Sequence, residues 1–123
     1  MRLPLNNIRI LDLSRMLPGP YCSMILADLG AEVIHINDPQ YPYGNPPPFF
    51  QKGRYRESAF NSILMRNKRS VSLNFKKKKA LEIFYQLVKR ADVVLESFRP
   101  KIPEKRDNSK SINKKSWNTP PTR

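Results

Sequence analysis

Short apolar runs, separated by proline, glycine and charge, set the pattern of this chain. The first is Ile8, Ile10, Leu11 and Leu13, a density that predicts a strand buried on both faces. Pro18-Gly19-Pro20 breaks that run. Pro20 suits a first helical turn, where its missing N–H costs nothing. Tyr21, Met24, Ile25, Leu26 and Leu29 then recur at helical spacing, and Gly30 offers the left-handed stop. Val33-Ile34-His35-Ile36 reads as a second strand, ended by Asn37-Asp38-Pro39. A strand, a short helix and a strand this close together predict a βαβ unit and hence a parallel sheet.

A second unit of the same kind follows after a break. Between Asn37 and Tyr55 stand Pro39, Pro42, Pro46, Pro47 and Pro48 with Gly44 and Gly53. Such a stretch holds no helix, does not pair in a sheet interior, and is long enough to suggest a functional or disordered loop. Ser58 is placed to cap one or two helical turns reaching Met65. Arg66-Asn67-Lys68-Arg69 reads as a basic turn into a short strand, Ser70 to Leu73. Over Lys76–Arg90, the residues Ala80, Leu81, Phe84, Leu87 and Val88 form one apolar stripe, which predicts the clearest helix of the chain. Lys76 to Lys79 sit at the end the helix dipole disfavours, so the first turn is expected to fray. Asp92 to Glu96 completes the pattern as a further buried-type strand. Both units then carry loops at strand C-terminal ends, where open α/β sheets bind ligands.

Composition bounds this picture. With 123 residues the chain has room for one small domain, and 39% hydrophobic residues is low for one. The shortfall lies in residues 39–60 and 101–123. A net charge of +13 favours acidic partners: nucleic acid, an anionic membrane or a phosphorylated small molecule. One cysteine, Cys22, allows no internal disulfide and suggests a reducing compartment. No apolar run approaches the roughly 20 residues that span a bilayer, and the N-terminus lacks a secretion-signal core, so a cytoplasmic location is expected. From Lys101 to Arg123 there are seven basic and two acidic residues without helical or strand period, which reads as a disordered tail.

Four blocks of sequence resemble class III CoA-transferases (the CaiB/BaiF family), which include formyl-CoA transferase and alpha-methylacyl-CoA racemase. They are Ile10-Leu-Asp-Leu-Ser-Arg-Met-Leu-Pro-Gly-Pro20, Ala27-Asp-Leu-Gly-Ala-Glu-Val-Ile34, Arg66-Asn-Lys-Arg-Ser70 and Ala91-Asp-Val-Val-Leu-Glu-Ser-Phe-Arg-Pro100, in the family's order and at its spacing. The resemblance implies an α/β fold with a Rossmann-like parallel sheet, residues 1–100 being the N-terminal part of a large CoA-binding domain. It implies coenzyme A as cofactor, bound as an acyl-CoA, with no metal, and an interlocked homodimer as the parent assembly. Transferase members move CoA from an acyl-CoA to a carboxylic acid through an aspartyl acyl-enzyme anhydride, with CoA released as thiolate. Racemase members move the α-proton with acid–base residues instead. Carried over by position, Met16, Leu17, Pro18 and Gly19 would line the active-site mouth near the thioester, Arg66, Lys68 and Arg69 would lie near the CoA nucleotide, and Ser97, Phe98 and Arg99 would contact the CoA backbone and phosphates. Arginine forks suit the phosphates of CoA.

Two departures change that expectation. Where many members carry an arginine after the second strand, this chain has Asn37 and Asp38, and an acid there would repel phosphate. The family's catalytic aspartate lies beyond position 123, and residues 101–123 do not continue the family pattern, as in a chain cut short with its tail in a shifted frame. The chain alone is therefore expected to be inactive.

Other residues have bland readings beside sharp ones. Asp12 beside Ser14 reads as a structural hydrogen-bond acceptor more than a catalytic carboxylate. Cys22 reads as a buried structural cysteine, with no base nearby to make it a nucleophile. His35, inside a strand, reads as packed or partly exposed. Asp28 and Glu32 read as helix surface and C-terminal turn. The basic residues of 66–79 and of the tail 101–123 leave open a small nucleic-acid-binding protein as the alternative function.

Overall fold

The computed structural model describes residues 2–40 and 47–97. Its centre is a four-stranded parallel sheet made of β1 (Arg9–Asp12), β2 (Glu32–Asn37), β5 (Lys68–Ser72) and β6 (Val93–Leu95), in the order β5-β2-β1-β6. The connections are α1 (Pro18–Asp28) between β1 and β2, α2 (Ala59–Leu64) just before β5, and α3 (Lys78–Val88) between β5 and β6. From β1 the chain steps outward to β2 and β5, then α3 carries it back across to the free side of β1. Strand order therefore reverses between β1 and β6, as in doubly wound α/β sheets.

Period-two alternation along the strands divides the core into two. Ile10 and Val33 pack with Ala27 and Ala31 on the α1 side. Leu11, Ile36 and Leu73 pack with Ala80 and Phe84 of α3 on the other. Phe75 meets Phe84 edge to face with centroids 5.4 Å apart, a favoured aromatic geometry. The stripe expected on α3 is thus its inward face. The helix begins at Lys78 rather than Lys76, with no side-chain cap, which fits four lysines at the end of the helix that favours anions.

Chain punctuation falls where the residue types require it. Pro18 stands at the first position of α1. The helix stops at Gly30, whose φ of +101° would strain any other residue and where an added Cβ would lie 2.6 Å from the Leu3 Cβ. The Ser58 Oγ accepts from the Asn61 N–H at 3.4 Å as the cap of α2.

Three expectations change. The proline-rich stretch gives way to β3 (Phe49–Lys52), which pairs antiparallel with β4 (Tyr55–Ser58) in a separate ribbon around Gly53. A two-stranded ribbon keeps one edge of each strand free, so nearby prolines do not forbid it. Lys68 and Arg69 belong to β5 rather than to the turn before it, because the turn is completed at Asn67, which takes a φ of +60°. Asn is among the few residues that tolerate this conformation. Cys22 is exposed, not buried. Helix α1 turns inward Gly19, Pro20, Ser23, Met24 and Ala27, and leaves Tyr21, Ile25 and Leu29 outside. Phe98, Arg99 and the tail of 101–123 lie outside the described residues.

Candidate functional site

The C-terminal ends of β1 and β6, on either side of the point where strand order reverses, are where a doubly wound sheet opens a crevice for a ligand. The loop Leu13 to Leu17 leaves β1 there, and Glu96 and Ser97 leave β6. Their spacing is fixed by hydrogen bonds. Leu13 N donates to Leu95 O at 2.8 Å. The Ser97 Oγ accepts from Arg15 N at 2.7 Å and donates to Arg15 O at 2.9 Å. Ser97 is therefore a brace for the β1 loop as well as an exposed hydroxyl at its edge.

Met16 and Leu17 form the tip of that loop. Both are exposed, 68% and 54%, an unusual place for two large apolar side chains in sequence. Met16 is held with a φ of +66°, which a long side chain rarely adopts without surrounding constraint. Pro18 and Gly19 start α1. Gly19 is required for space, since a Cβ there would stand 2.2 Å from the Ser14 Cβ. Helix and loop thus touch backbone to side chain.

Beneath the loop lies a buried polar junction. Asp12, with no exposed surface, ends β1. Its Oδ1 accepts from Ser14 N at 2.9 Å and from the Ser14 hydroxyl, and its Oδ2 accepts from the Ser23 hydroxyl of α1. Lys68, from the start of β5, reaches across β2 with a side chain only 1% exposed. Its ammonium donates to Ser23 Oγ at 2.7 Å, Pro20 O at 2.9 Å and Asp12 Oδ2 at 3.3 Å. The His35 Nδ1 stands 3.5 Å from the same carboxylate oxygen, too far and too poorly aligned for a full hydrogen bond. It is a buried nitrogen with no better partner among the described residues. Burial by itself pushes the Asp12 carboxyl up, but contacts from His35, Ser14 and Ser23 together outweigh it and hold the group well below the usual carboxylate range. Burial also lowers Lys68, opposed by the Asp12 charge. Asp12 is thus the hydrogen-bond acceptor expected of it, and His35 is packed.

The three basic residues of the 66–69 run do not converge. Arg66 forks onto Asp28, with Nη2–Oδ2 at 2.6 Å, and Asn67 adds a bond to the same carboxylate at 2.8 Å. The hydrogen bonds from Arg66 and Asn67 lower the Asp28 pKa, and the Asp28 contact raises that of Arg66. Arg69 meets Glu32 at 3.0 Å, which Arg9 also binds at 2.6 Å. Asp28 and Glu32 are hence ion-pair partners, and Glu32 lies inside β2 instead of in the helix turn.

At the open edge the structure brings Asp38, Arg15 and Lys76 close together. The Asp38 carboxylate is buried, accepts from Gln40 N at 3.0 Å, and has the Arg15 guanidinium 4.0 Å away. It closes a turn and is neutralised in place, so it does not project as a charge that repels phosphate. The exposed Lys76, whose Nζ lies 3.3 Å from Gln40 Oε1, brings positive charge to the same edge. A signal was present in each case: Arg15 stands in the loop after β1, and Lys76 just after β5. Among the described residues, no cluster of His, Cys, Asp and Glu is placed to hold a metal ion, and no helix is long and apolar enough to cross a membrane.

Comparison with known proteins agrees with this fold. The model of CoA-transferase family III matches residues 5–114, past the boundary drawn at residue 100. The chain is 41% identical over 107 residues to a succinyl-CoA:mesaconate CoA-transferase of Haloarcula marismortui, covering 84% of this chain and 26% of that protein. It is 35% identical over 101 residues to the alpha-methylacyl-CoA racemase of Mus musculus, covering 82% and 22%. The crystal structure of a CAIB/BAIF family protein from Brucella suis superposes with a TM-score of 0.75 at 33% identity, over 86% of this chain and 29% of that one. The chain spans about a quarter of the length of these relatives.

Proposed function

Because this chain belongs to CoA-transferase family III, we propose that residues 5–97 form the coenzyme-holding N-terminal part of an enzyme that moves CoA from an acyl-CoA to a carboxylic acid. The observation that carries the reading is the place of the β1 loop. Exposed Met16 and Leu17 are held at the strand-order reversal by Ser97 and Gly19, with the exposed Lys76 bringing positive charge to the same edge. An apolar tip beside a cation fits a ligand that joins a thioester arm to phosphates. Met16, Leu17, Pro18 and Gly19 flank the arm, and Ser97 stands beside them at the edge of the loop; the roles of Phe98 and Arg99 in binding the phosphates rest on the family resemblance alone. Arg66 and Arg69 reach the nucleotide only by exchanging Asp28 and Glu32 for phosphate, whereas Lys68 has no proton left to offer.

In the transferase reaction an aspartate carboxylate attacks the thioester carbonyl, the C–S bond breaks, and CoA leaves as a thiolate while a mixed anhydride forms. The residues of this chain supply coenzyme binding to that step. A racemase of the same family is the neighbouring possibility, since the racemase relative matches the same residues. The small nucleic-acid-binding alternative gains nothing from the relatives, and in the described part the 66–69 cations are already paired.

Calorimetric titration of the 123-residue chain tests the reading. CoA is expected to bind more tightly than ADP, with only modest sensitivity to salt. Equal affinity for CoA and short RNA, both falling steeply with salt as phosphate contacts predict, would replace it with the nucleic-acid function.

A further inference from the structure

We infer that the buried Asp12–Lys68 pair is a positioning device that sets the conformation of the Ser14–Gly19 loop, and that Lys68 acts on coenzyme binding through this loop without touching the ligand. The inference rests on the coenzyme reading above.

Lys68 lies inside a basic run of the folded part, yet all three of its ammonium protons point inward, to Ser23 Oγ, Pro20 O and Asp12 Oδ2. Pro20 O and Ser23 belong to the first turns of α1, where the loop ends. Asp12 holds the other end of the loop through Ser14 N and the Ser14 hydroxyl. One carboxylate and one ammonium therefore clamp both ends of a loop whose tip carries Met16 at a φ of +66°. Gly19 closes the clamp by letting α1 press on Ser14. Burying such a pair costs desolvation that an apolar pair of similar volume would avoid. Its usefulness lies in fixing one geometry, since each hydrogen bond has an obligatory direction. A loop that spends less time in its binding-competent form weakens affinity in proportion to the lost population.

The test uses the double variant Asp12→Asn/Lys68→Met, which replaces the charged pair with a neutral one and leaves no isolated buried charge. Two quantities are read: amide hydrogen exchange at Arg15–Leu17, and binding of both CoA and pantetheine, which lacks the phosphates. Positioning predicts faster exchange in the loop and about tenfold weaker binding of CoA and pantetheine alike. A direct phosphate contact by Lys68 predicts unchanged loop exchange and loss confined to CoA, and would overturn the inference. Arg69→Ala, at the exposed pair with Glu32, is expected to leave loop exchange as it is. Should the double variant fail to fold, Ser23→Ala removes one oxygen from the junction and keeps both charges. Faster loop exchange in it supports the inference, and wild-type exchange sinks it. If the parent chain binds no CoA, the coenzyme reading fails while the exchange measurement still decides the role of the pair.

Discussion

The two faces of the sheet are each covered by one helix and have opposite interiors. In the second, α3 covers Leu11, Ile36 and Leu73 with Ala80 and Phe84, and the contact is apolar throughout. In the first, α1 covers Ile10 and Val33 with Ala27 at its C-terminal end, but at its N-terminal end it covers Asp12, Ser14 and Lys68 with Ser23. A single strand separates them, because neighbouring residues of β1 point to opposite faces: Leu11 toward α3, Asp12 toward α1. Burial of apolar area stabilises without regard to direction. Buried hydrogen bonds stabilise little on balance yet dictate where each partner must sit. The α3 side therefore supplies stability, and the α1 side spends part of it to hold one loop.

The strongest way to break the comparison is to delete one feature from each side. Phe84→Ala removes a buried ring from the apolar half and is expected to cost about 3–5 kcal/mol in urea unfolding, with loop exchange at Arg15–Leu17 unchanged under native conditions. Lys68→Met alone leaves Asp12 buried without its cation and is expected to cost a similar amount, about 3–5 kcal/mol, but with the loop exchanging faster as well. Equal loop protection in the two variants would show that the halves do not differ in this respect.

Acid sharpens the contrast with a smaller effect. The folded-state pKa of Asp12 lies below its unfolded value, near 3.9 for an aspartate, so the folded chain holds fewer protons in that range. The stability contributed by this group is present above that value and is lost as pH falls through the folded one. Stability of the parent chain should thus decline below about pH 4. In the Asp12→Asn/Lys68→Met variant the decline should be shallower, since the depressed group is gone. Urea midpoints measured across that range for both proteins check the sign. Lys68 gives a slope of the same sign at the other end of the scale, because its folded pKa is also lowered and stability rises with pH as the lysine range is approached.

What was legible from the sequence follows the same division. The α3 stripe, the strands β1, β2 and β6 and the stop at Gly30 are written in local periodicity and chain stereochemistry, and they stand where periodicity puts them. The loop at Met16–Gly19 was legible as the link between the first strand and α1. The ion pair beneath it was not, because Lys68 meets Asp12 across 56 positions and its charge merges with that of Arg66 and Arg69 when read along the chain. The orientation of α1 was hidden for a related reason. Apolar residues occur all round this helix, so spacing predicts a helix without saying which face turns inward. The buried face is the one with small side chains and Ser23, whose hydroxyl is drawn in by Asp12.

That orientation has a test with almost no effect on stability. Successive residues on a helix are about 100° apart, so Ser23 facing the sheet carries Cys22 away from it. The thiol is expected to react with a mild labelling reagent at full stoichiometry in the native protein, at the rate seen in urea, and the urea midpoint of the labelled chain should match that of the parent. Labelling that waits for unfolding would mean that α1 is rotated by about one residue. In that case Ser23 would not reach Asp12, and the junction proposed to hold the loop would lose its link to the helix. The reactivity of one cysteine thus reports on the polar half of the core without disturbing it.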